Sequence, residues 1–309
     1  MPNRAQSRGV AQNESEPIGV PTASVSMTTL VMPSLSKSSR LANASVEIGE
    51  FISEKASEEY ATGQTEAEQA LALDPRSAEA HLALANLDFF TWKFAAADPE
   101  FRHAEESNPN FVTIADAYSA YLAAMGRVSE AMDEAQRGLT LDPHSPNANV
   151  EIGWVLLTAG DCGKAIPQFE KTLEIDPNYL IAYGGIEECS LATGNGDRYA
   201  DALEHEANIL GLSDQAAEIK RVYASSGIKG IARWFIEMND DPAKPAYDPL
   251  ETAQGYAILG EKDQAFLWLE KSYQLHQQDL IHLRWSAALI GLHSDPRYAD
   301  LLRRIGFPQ

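Results

Sequence analysis

Apolar residues recur at helical spacing through most of the chain, and in the middle of the chain a single pattern returns every 34 residues. Pro75, Pro109, Pro143 and Pro177 mark this period, and each of them follows an Asp or an Asn. An amphipathic run precedes each proline, and proline disfavours helix in the residue before it, so each run is predicted to end there. A fixed period of this length is typical of helical repeat arrays, in which each unit packs on its neighbours.

The unit that begins at Ala78 shows the pattern most clearly. Its first helical stretch carries Ala85, and its second carries Ala97 and Phe101. Two helices approach closely only where small side chains meet, so the two alanines are predicted to lie at the helix crossing and Phe101 to fill the wedge beside it. The next two units repeat this arrangement. The second of them has Pro167 in what is predicted to be a first helical turn, where proline is tolerated.

Beyond Tyr179 the period is predicted to loosen. A few extra residues are expected in the turn at 194–199, before the next helix. Two further helix pairs are predicted over 214–240 and 248–275. The apolar segment 280–292 is predicted to form one helix, and the last residues a short helix that caps the exposed face of the array.

The first 41 residues differ from the rest in composition. Nine of the twenty residues from Pro21 to Arg40 are Ser or Thr, and such a segment buries too little apolar surface to fold. We therefore predict a disordered tail over residues 1–41, with a phosphorylated or partner-binding tail as the alternative. Helical repeats are predicted over 42–213, and degenerate helix pairs with capping helices over 214–309.

The formal net charge of −21 bears on the choice of partner. Nucleic acids and anionic membrane surfaces are bound mainly through Lys and Arg, so neither is predicted as a direct partner. A basic partner is compatible with this charge, and so is a purely solubilising role for the acidic surface. The sequence has no apolar run of membrane-spanning length and no signal-peptide core near its start.

Residues that could carry chemistry are sparse. Cys162 and Cys189 are not part of a CxxC motif, so they are interpreted as neither a disulfide scaffold nor a zinc site, which is consistent with a reduced cytoplasm. The seven histidines include neither an HExxH motif nor a pair at four-residue spacing. No GxSxG motif is present. The sequence thus predicts no metal, cofactor or catalytic residue, and an enzyme of unrecognised type stays open as an alternative.

With small residues at the helix crossings and a closing proline, the 34-residue unit resembles the tetratricopeptide repeat family over about residues 42–309. The Trp that the family has at position 4 is replaced here, by His81, Ala115, Asn149 and Tyr183. The resemblance implies an all-α fold, a right-handed superhelix of about five to seven antiparallel helix pairs. It also implies that the first helices of the pairs line a concave groove, in which such arrays bind extended peptides.

Ten residues fall on groove-facing positions of this family: Leu82, Asn86, Phe89, Phe90, Asp116, Ala120, Val150, Trp154, Leu157 and Glu188. The groove would be apolar and aromatic with an acidic edge, which suits a peptide with apolar anchors and basic residues. Members that bind chaperone tails hold a C-terminal carboxylate with Lys at position 5 and Asn at position 9, and only Asn86 matches. The alternative is that the aromatic residues merely pack between repeats.

The C-terminal region, from IKRVYASSG to RRIGFP, resembles the tail of bacterial tetratricopeptide regulators. In those proteins the array often follows a winged-helix DNA-binding domain or a Ser/Thr kinase domain, and the sequence shows no HRD or DFG triplet of a kinase. The favoured hypothesis is a non-catalytic, cytoplasmic protein-interaction scaffold or adaptor with a protein or peptide partner. The alternative is the stand-alone sensory half of such a regulator.

Overall fold

The computed structural model describes residues 51–240 and 248–308, with side chains from Tyr60 onward. These residues form thirteen α-helices and two short 3₁₀ helices, and they contain no β-strand. The helices are α1 (Phe51–Leu73), α2 (Ala78–Phe90), α3 (Phe94–Ser107), α4 (Val112–Ala124), α5 (Val128–Leu141), α6 (Pro146–Thr158), α7 (Cys162–Ile175), α8 (Leu180–Thr193), α9 (Gly196–Ile209), α10 (Ser213–Asn239), α11 (Pro249–Leu259), α12 (Lys262–Gln274) and α13 (Pro296–Ile305).

These helices confirm the predicted all-α repeat fold, in which consecutive helices pack as pairs. The predicted tail over residues 1–41 lies outside the described residues. A repeat before Ala78 would consist of two helical stretches, whereas α1 is continuous from Phe51 to Leu73. None of the described helices is long and apolar enough to cross a membrane.

The 34-residue period holds for four repeats, one more than the sequence predicted. Helices α2, α4, α6 and α8 begin 34 residues apart, and so do their partners α3, α5, α7 and α9. The extra residues expected before α9 are absent, so that prediction was wrong. Gly194 ends α8 with a φ of 72°, and the Asn195 side chain accepts a hydrogen bond from the Arg198 N–H, so two residues complete the turn.

The helix crossings have the composition that the sequence predicted. Ala85, Ala97 and Phe101 are fully buried in one hydrophobic cluster, and the Phe101 ring stacks on Tyr118 of the next repeat with ring centroids 5.2 Å apart. The position of Pro167 is different from the prediction. It is the sixth residue of α7, past the first turn, because the helix already begins at Cys162 behind the Asp161 cap.

Helix α10 is two helical halves that meet at Gly227, whose φ of 60° and ψ of −155° are not helical. The halves pack closely, since a Cβ on Gly230 would lie 2.6 Å from the carbonyl oxygen of Val222. This is the helix pair predicted over 214–240, and α11 with α12 forms the next pair. The described chain thus holds six helix pairs, from α2–α3 to α11–α12, between α1 and α13.

The apolar segment after α12 differs from the sequence prediction of one helix. It forms two 3₁₀ helices, Gln278–His282 and Ala287–Leu292, joined by an irregular turn. Six of its apolar side chains are buried: Leu280, Ile281, Leu283, Ala288, Leu289 and Leu292. The segment contacts α2, α8 and α11, so its side chains bury on several sides, which a single helical stripe could not achieve. We call Gln278–Leu292 the inner segment.

The C-terminal end of the array also contacts its first repeat. The indole of Trp92 stacks on Tyr273 and on His276, with ring centroids 5.6 Å and 4.7 Å apart. The Phe94 and Phe307 rings lie 5.0 Å apart. The predicted cap α13 therefore does more than cover the last helix pair, because the chain that follows it packs on the first repeat and closes the array on itself.

The two cysteines form a disulfide between Cys162, the first residue of α7, and Cys189 of α8. Their Cα atoms are 5.3 Å apart, and 27 positions separate them in sequence. Reading them as unrelated to a disulfide was wrong. The sequence spacing gave no sign of the pairing because the contact arises only when α7 packs on the first helix of the next repeat.

Candidate functional site

The first helices of the repeats and the inner segment enclose a cavity of about 140 Å³ on the concave face. Helices α2, α4, α6 and α8 form one wall, and the turn around His282 forms the other. The lining residues are Asn86, Phe89, Phe90, Thr113, Asp116, Ala117, Ala120, Ala123, Asn147, Glu151, Trp154, Thr158, Ile181, Ile281, His282 and Trp285.

One side of the cavity is acidic and connected by hydrogen bonds. The Tyr179 hydroxyl donates to Asn147 Oδ1 at 2.8 Å, and Asn147 Nδ2 donates to Asp116 Oδ2 at 2.7 Å. Asp116 Oδ1 and Glu151 Oε2 are buried and have no hydrogen-bond partner. The Asp116 side chain has room in this packing because the residue that it contacts is a glycine. A Cβ on Gly138 would lie 2.6 Å from Asp116 Oδ1.

Burial sets the protonation of these two carboxyl groups. It raises the pKa of Asp116 to about 6, although the hydrogen bond from Asn147 acts in the opposite direction. Burial also raises the pKa of Glu151 well above its ordinary value, and the nearby Asp116 charge adds to this increase. Each group is held neutral over a wider pH range than in water, because desolvation outweighs the favourable contacts that the folded chain supplies here.

Aromatic rings form a second part of the cavity wall. The Trp154 indole is stacked parallel to the His282 imidazole at a centroid distance of 6.4 Å, and His282 is 5.3 Å from the Trp285 ring. Phe89 and Phe90 contact each other on the opposite side, with centroids 5.2 Å apart. The faces of such rings carry partial negative charge, so the wall and the carboxyl groups favour the same sign of ligand.

Polar contacts hold the inner segment against the concave wall. Glu188 Oε2 accepts a hydrogen bond from the Ala287 backbone N–H at 2.6 Å. Arg284 Nη1 donates to the Met125 carbonyl oxygen at 3.3 Å. The segment thus covers some of the surface that the family resemblance assigned to an extended peptide.

The ten residues expected to face the groove fall into three groups. Six of them line the cavity: Asn86, Phe89, Phe90, Asp116, Ala120 and Trp154. Leu82, Val150 and Leu157 are buried in the hydrophobic clusters of the helix packing and do not reach the cavity. Glu188 binds the inner segment instead.

Sequence reasoning missed ten of the lining residues, and four of these carry an amide, ionisable or aromatic side chain. Asn147 occupies position 2 of its repeat, a groove-facing position, so the register could have found it. Glu151 comes one residue after a groove-facing position. The only signal that could have identified it is its charge within an otherwise apolar helix. His282 and Trp285 come from the inner segment, which no local pattern places on the concave face.

Comparison with known proteins gives one curated relative. No protein-family model matches the chain. The Small glutamine-rich tetratricopeptide repeat-containing protein 2 of Mycosarcoma maydis is 26% identical over 93 residues. The match covers 30% of this chain, and the chain spans only about a quarter (26%) of that relative's length.

Several solved structures are similar. A tetratricopeptide repeat protein from Parabacteroides merdae is 15% identical, and the alignment covers 82% of this chain and 99% of that one with a TM-score of 0.47. PilW, a type IV pilus biogenesis factor, is 21% identical over 60% of this chain and 93% of its own, with a TM-score of 0.44. The tetratricopeptide-type fold of this chain rests on the 34-residue period of its own helix pairs.

Proposed function

We propose that this protein is a non-catalytic interaction scaffold whose concave cavity binds a cationic side chain of a partner protein. One observation carries the proposal: two buried carboxyl groups with unpaired oxygens share a cavity with aromatic rings. A buried carboxylate costs free energy unless it is paired, and a Lys or Arg side chain supplies the missing charge.

The cavity chemistry and size both favour such a ligand. A cation over an indole or phenyl face gains roughly 0.5–2 kcal/mol, more where water is excluded. The volume of about 140 Å³ is small compared with the 300–1,000 Å³ of pockets that hold drug-sized ligands. The cavity therefore suits one side chain, and the apolar residues that flank it in the partner remain outside.

The test uses tryptophan fluorescence, since Trp154 and Trp285 line the cavity. The probe is a short capped peptide with one Arg or Lys between leucines, compared with a peptide that has norleucine in place of the basic residue. We expect saturable binding of the basic peptide, at least about tenfold tighter than that of the norleucine peptide. Affinity should rise from pH 5.5 to pH 8, because binding requires ionised carboxyl groups.

Two variants assign the binding to the cavity. Glu151→Gln should weaken the basic peptide by at least about tenfold, because it removes the charge partner of the cation. Glu174→Gln, an exposed residue on α7, is the matched control and should bind like the wild type. Equal affinity for the basic and norleucine peptides would overturn the proposal. Equally tight binding of n-butylammonium would show that the site serves a small cation instead of a protein.

Three finer hypotheses belong to this proposal. The acidic chain and cavity favour a partner with basic and apolar residues over nucleic acid or a membrane surface. The link to bacterial winged-helix or kinase-associated regulators remains a prediction. The cytoplasmic location also remains a prediction. The Cys162–Cys189 disulfide favours an oxidising compartment instead.

A further inference from the structure

Three metal-ligating side chains converge in the first repeat, away from the cavity. His81 lies on α2, and Glu100 and His103 lie three residues apart on α3. One ligand atom from each of them lies within 4.8 Å of the other two. His81 is buried, Glu100 is half-buried and His103 is exposed, so the cluster opens to the surface on the His103 side.

The hydrogen bonds of His81 leave one position for a cation. Its Nδ1 lies 2.6 Å from Glu100 Oε2, and its Nε2 lies 3.2 Å from the Pro75 carbonyl oxygen. Both neighbours are acceptors, while a neutral imidazole has a single N–H. When Nε2–H donates to Pro75, the Nδ1 lone pair faces the carboxylate. A positive charge between these two atoms satisfies both. A second proton fits at the present separation, and a metal ion fits once the carboxylate moves back by several tenths of an ångström.

The position of His103 favours a metal ion over a shared proton. A proton shared by His81 and Glu100 needs no further ligand, yet the His103 ring is 5.1 Å from the His81 ring, centroid to centroid. Glu100 and His103 form a Glu-x-x-His pair on one helix face, a spacing that helix-bundle metal sites use. A metal-bound histidine commonly donates its other N–H to a backbone carbonyl, as His81 does to Pro75.

We propose that His81, Glu100 and His103 bind a divalent transition metal of the zinc type. Two imidazoles and one carboxylate are a ligand set that Zn²⁺ accepts, and the exposed side leaves its fourth position to water. His81 Nδ1 and Glu100 Oε2 already face each other at 2.6 Å, and a small withdrawal of the carboxylate lets an ion enter between them. The exposed His103 completes the site by a rotation of its side chain.

The repeat architecture does not require these residues. The positions 34, 68 and 102 residues further on carry other side chains: Ala115, Asn149 and Tyr183 for His81; Glu134, Gln168 and Ala202 for Glu100; Arg137, Lys171 and His205 for His103. Three repeats thus pack the same helix pair without the ligand set. The set is a property of the first repeat and not of the fold.

The test is calorimetric titration of the full chain with Zn²⁺ after treatment with EDTA and its removal, under non-reducing conditions that keep the disulfide intact. Visible spectra with Co²⁺ report the ligand geometry. We expect one ion per chain and a higher melting temperature with Zn²⁺. His103→Ala should weaken binding by at least about tenfold, and it should fold because His103 is exposed. Glu100→Gln should weaken binding as well.

The matched control is His144→Ala, which removes an exposed histidine of the next repeat and should leave the affinity unchanged. No saturable binding by the wild type would overturn the proposal. So would an affinity of His103→Ala equal to that of the wild type. Neither result bears on the cavity, because none of these residues lines it.

Discussion

At the scale of single residues, the cavity carboxyl groups oppose stability. Burial raises the pKa of Asp116 to about 6 and that of Glu151 well above its ordinary value. The folded state therefore binds these protons more tightly than the unfolded state. The free energy of unfolding falls as pH rises from about 4, the unfolded pKa, through the raised folded values. For Asp116 the decrease in the free energy of unfolding is roughly 3 kcal/mol once the carboxyl group is fully ionised.

Glu151→Gln tests this cost directly. The amide keeps the shape of the side chain and cannot ionise, so the variant should melt at a higher temperature than the wild type at pH 8. The difference should shrink toward zero near pH 4, where the wild-type carboxyl group is protonated. Melting followed by circular dichroism from pH 4 to pH 8 measures it, with Glu174→Gln as the exposed control. A variant less stable than the wild type at pH 8 would mean that a cation of the folded chain already pairs with Glu151.

The register of the repeat predicted several residues of the site at this scale. Asn86 and Asp116 line the cavity because the 34-residue period places them on the concave side of the first helices. Leu82 and Val150 shared the nominal position of Asp116, but their apolar side chains are buried between helices instead. A repeat position sets the direction of a side chain, and whether that side chain reaches the surface depends on packing that the period does not describe.

At the scale of helices, the crossings decide how tightly a pair packs. Ala97 is fully buried between α2 and α3, with Phe101 one turn further along. Ala97→Leu should force the helices apart and cost roughly 1–3 kcal/mol of unfolding free energy. Urea denaturation measures this cost, and Ala96→Leu, an exposed neighbour on the same helix, should be close to neutral. Equal stabilities of the two variants would show that the crossing lies elsewhere.

The disulfide also acts at the scale of helices, because it joins α7 of one repeat to α8 of the next. Closing a loop with a sequence separation of 27 residues stabilises a fold by roughly 3–4 kcal/mol in the chain-entropy model. Reduction, or the double change Cys162→Ala with Cys189→Ala, should lower the urea midpoint accordingly. Dithiothreitol should leave the double variant unaffected. Detection of two free thiols in the untreated wild type would contradict the disulfide and favour a reduced protein.

The helices themselves were the most predictable elements, and the inner segment was the least. Prolines, glycine caps and apolar periodicity are local signals, and they placed most of the repeat helices. The inner segment Gln278–Leu292 has apolar residues at nine of its fifteen positions and no single apolar stripe, so its pattern could not separate a buried helix from two 3₁₀ helices. Its conformation depends on a concave wall built by helices more than 90 residues earlier in the chain.

At the scale of the whole molecule, closure makes this array differ from a linear solenoid. In a linear array a repeat contacts only its neighbours, so a change at one end is not felt at the other. Here Trp92 of the first repeat stacks on Tyr273 and His276 of the last. Trp92 and His276 are the two described non-glycine residues with positive φ, 63° and 50°. Within the described residues, the strained non-glycine backbone therefore lies where the two ends of the array meet.

The sign of the stability change caused by Trp92→Gly distinguishes a closed array from a linear one. Trp92 stands where the next three repeats have Gly126, Gly160 and Gly194, all with φ between 72° and 79°. In a linear array the change would relieve strain and stabilise the protein by about 1 kcal/mol. In the closed array it also removes the stacking on Tyr273 and His276, a loss of roughly 1–3 kcal/mol that exceeds the relief. We therefore expect a lower melting temperature.

Amide hydrogen exchange locates the same effect along the chain. Opening of the contact at Trp92 should raise exchange in α12 (Lys262–Gln274), about 170 residues away in sequence, as well as in α3. Leu267→Ala, an exposed change on α12 itself, should leave α3 protected as in the wild type. Faster exchange confined to the first repeat in Trp92→Gly would mean that the two ends are not energetically coupled. A change in both regions would establish that the two ends of the array support each other through the contact at Trp92.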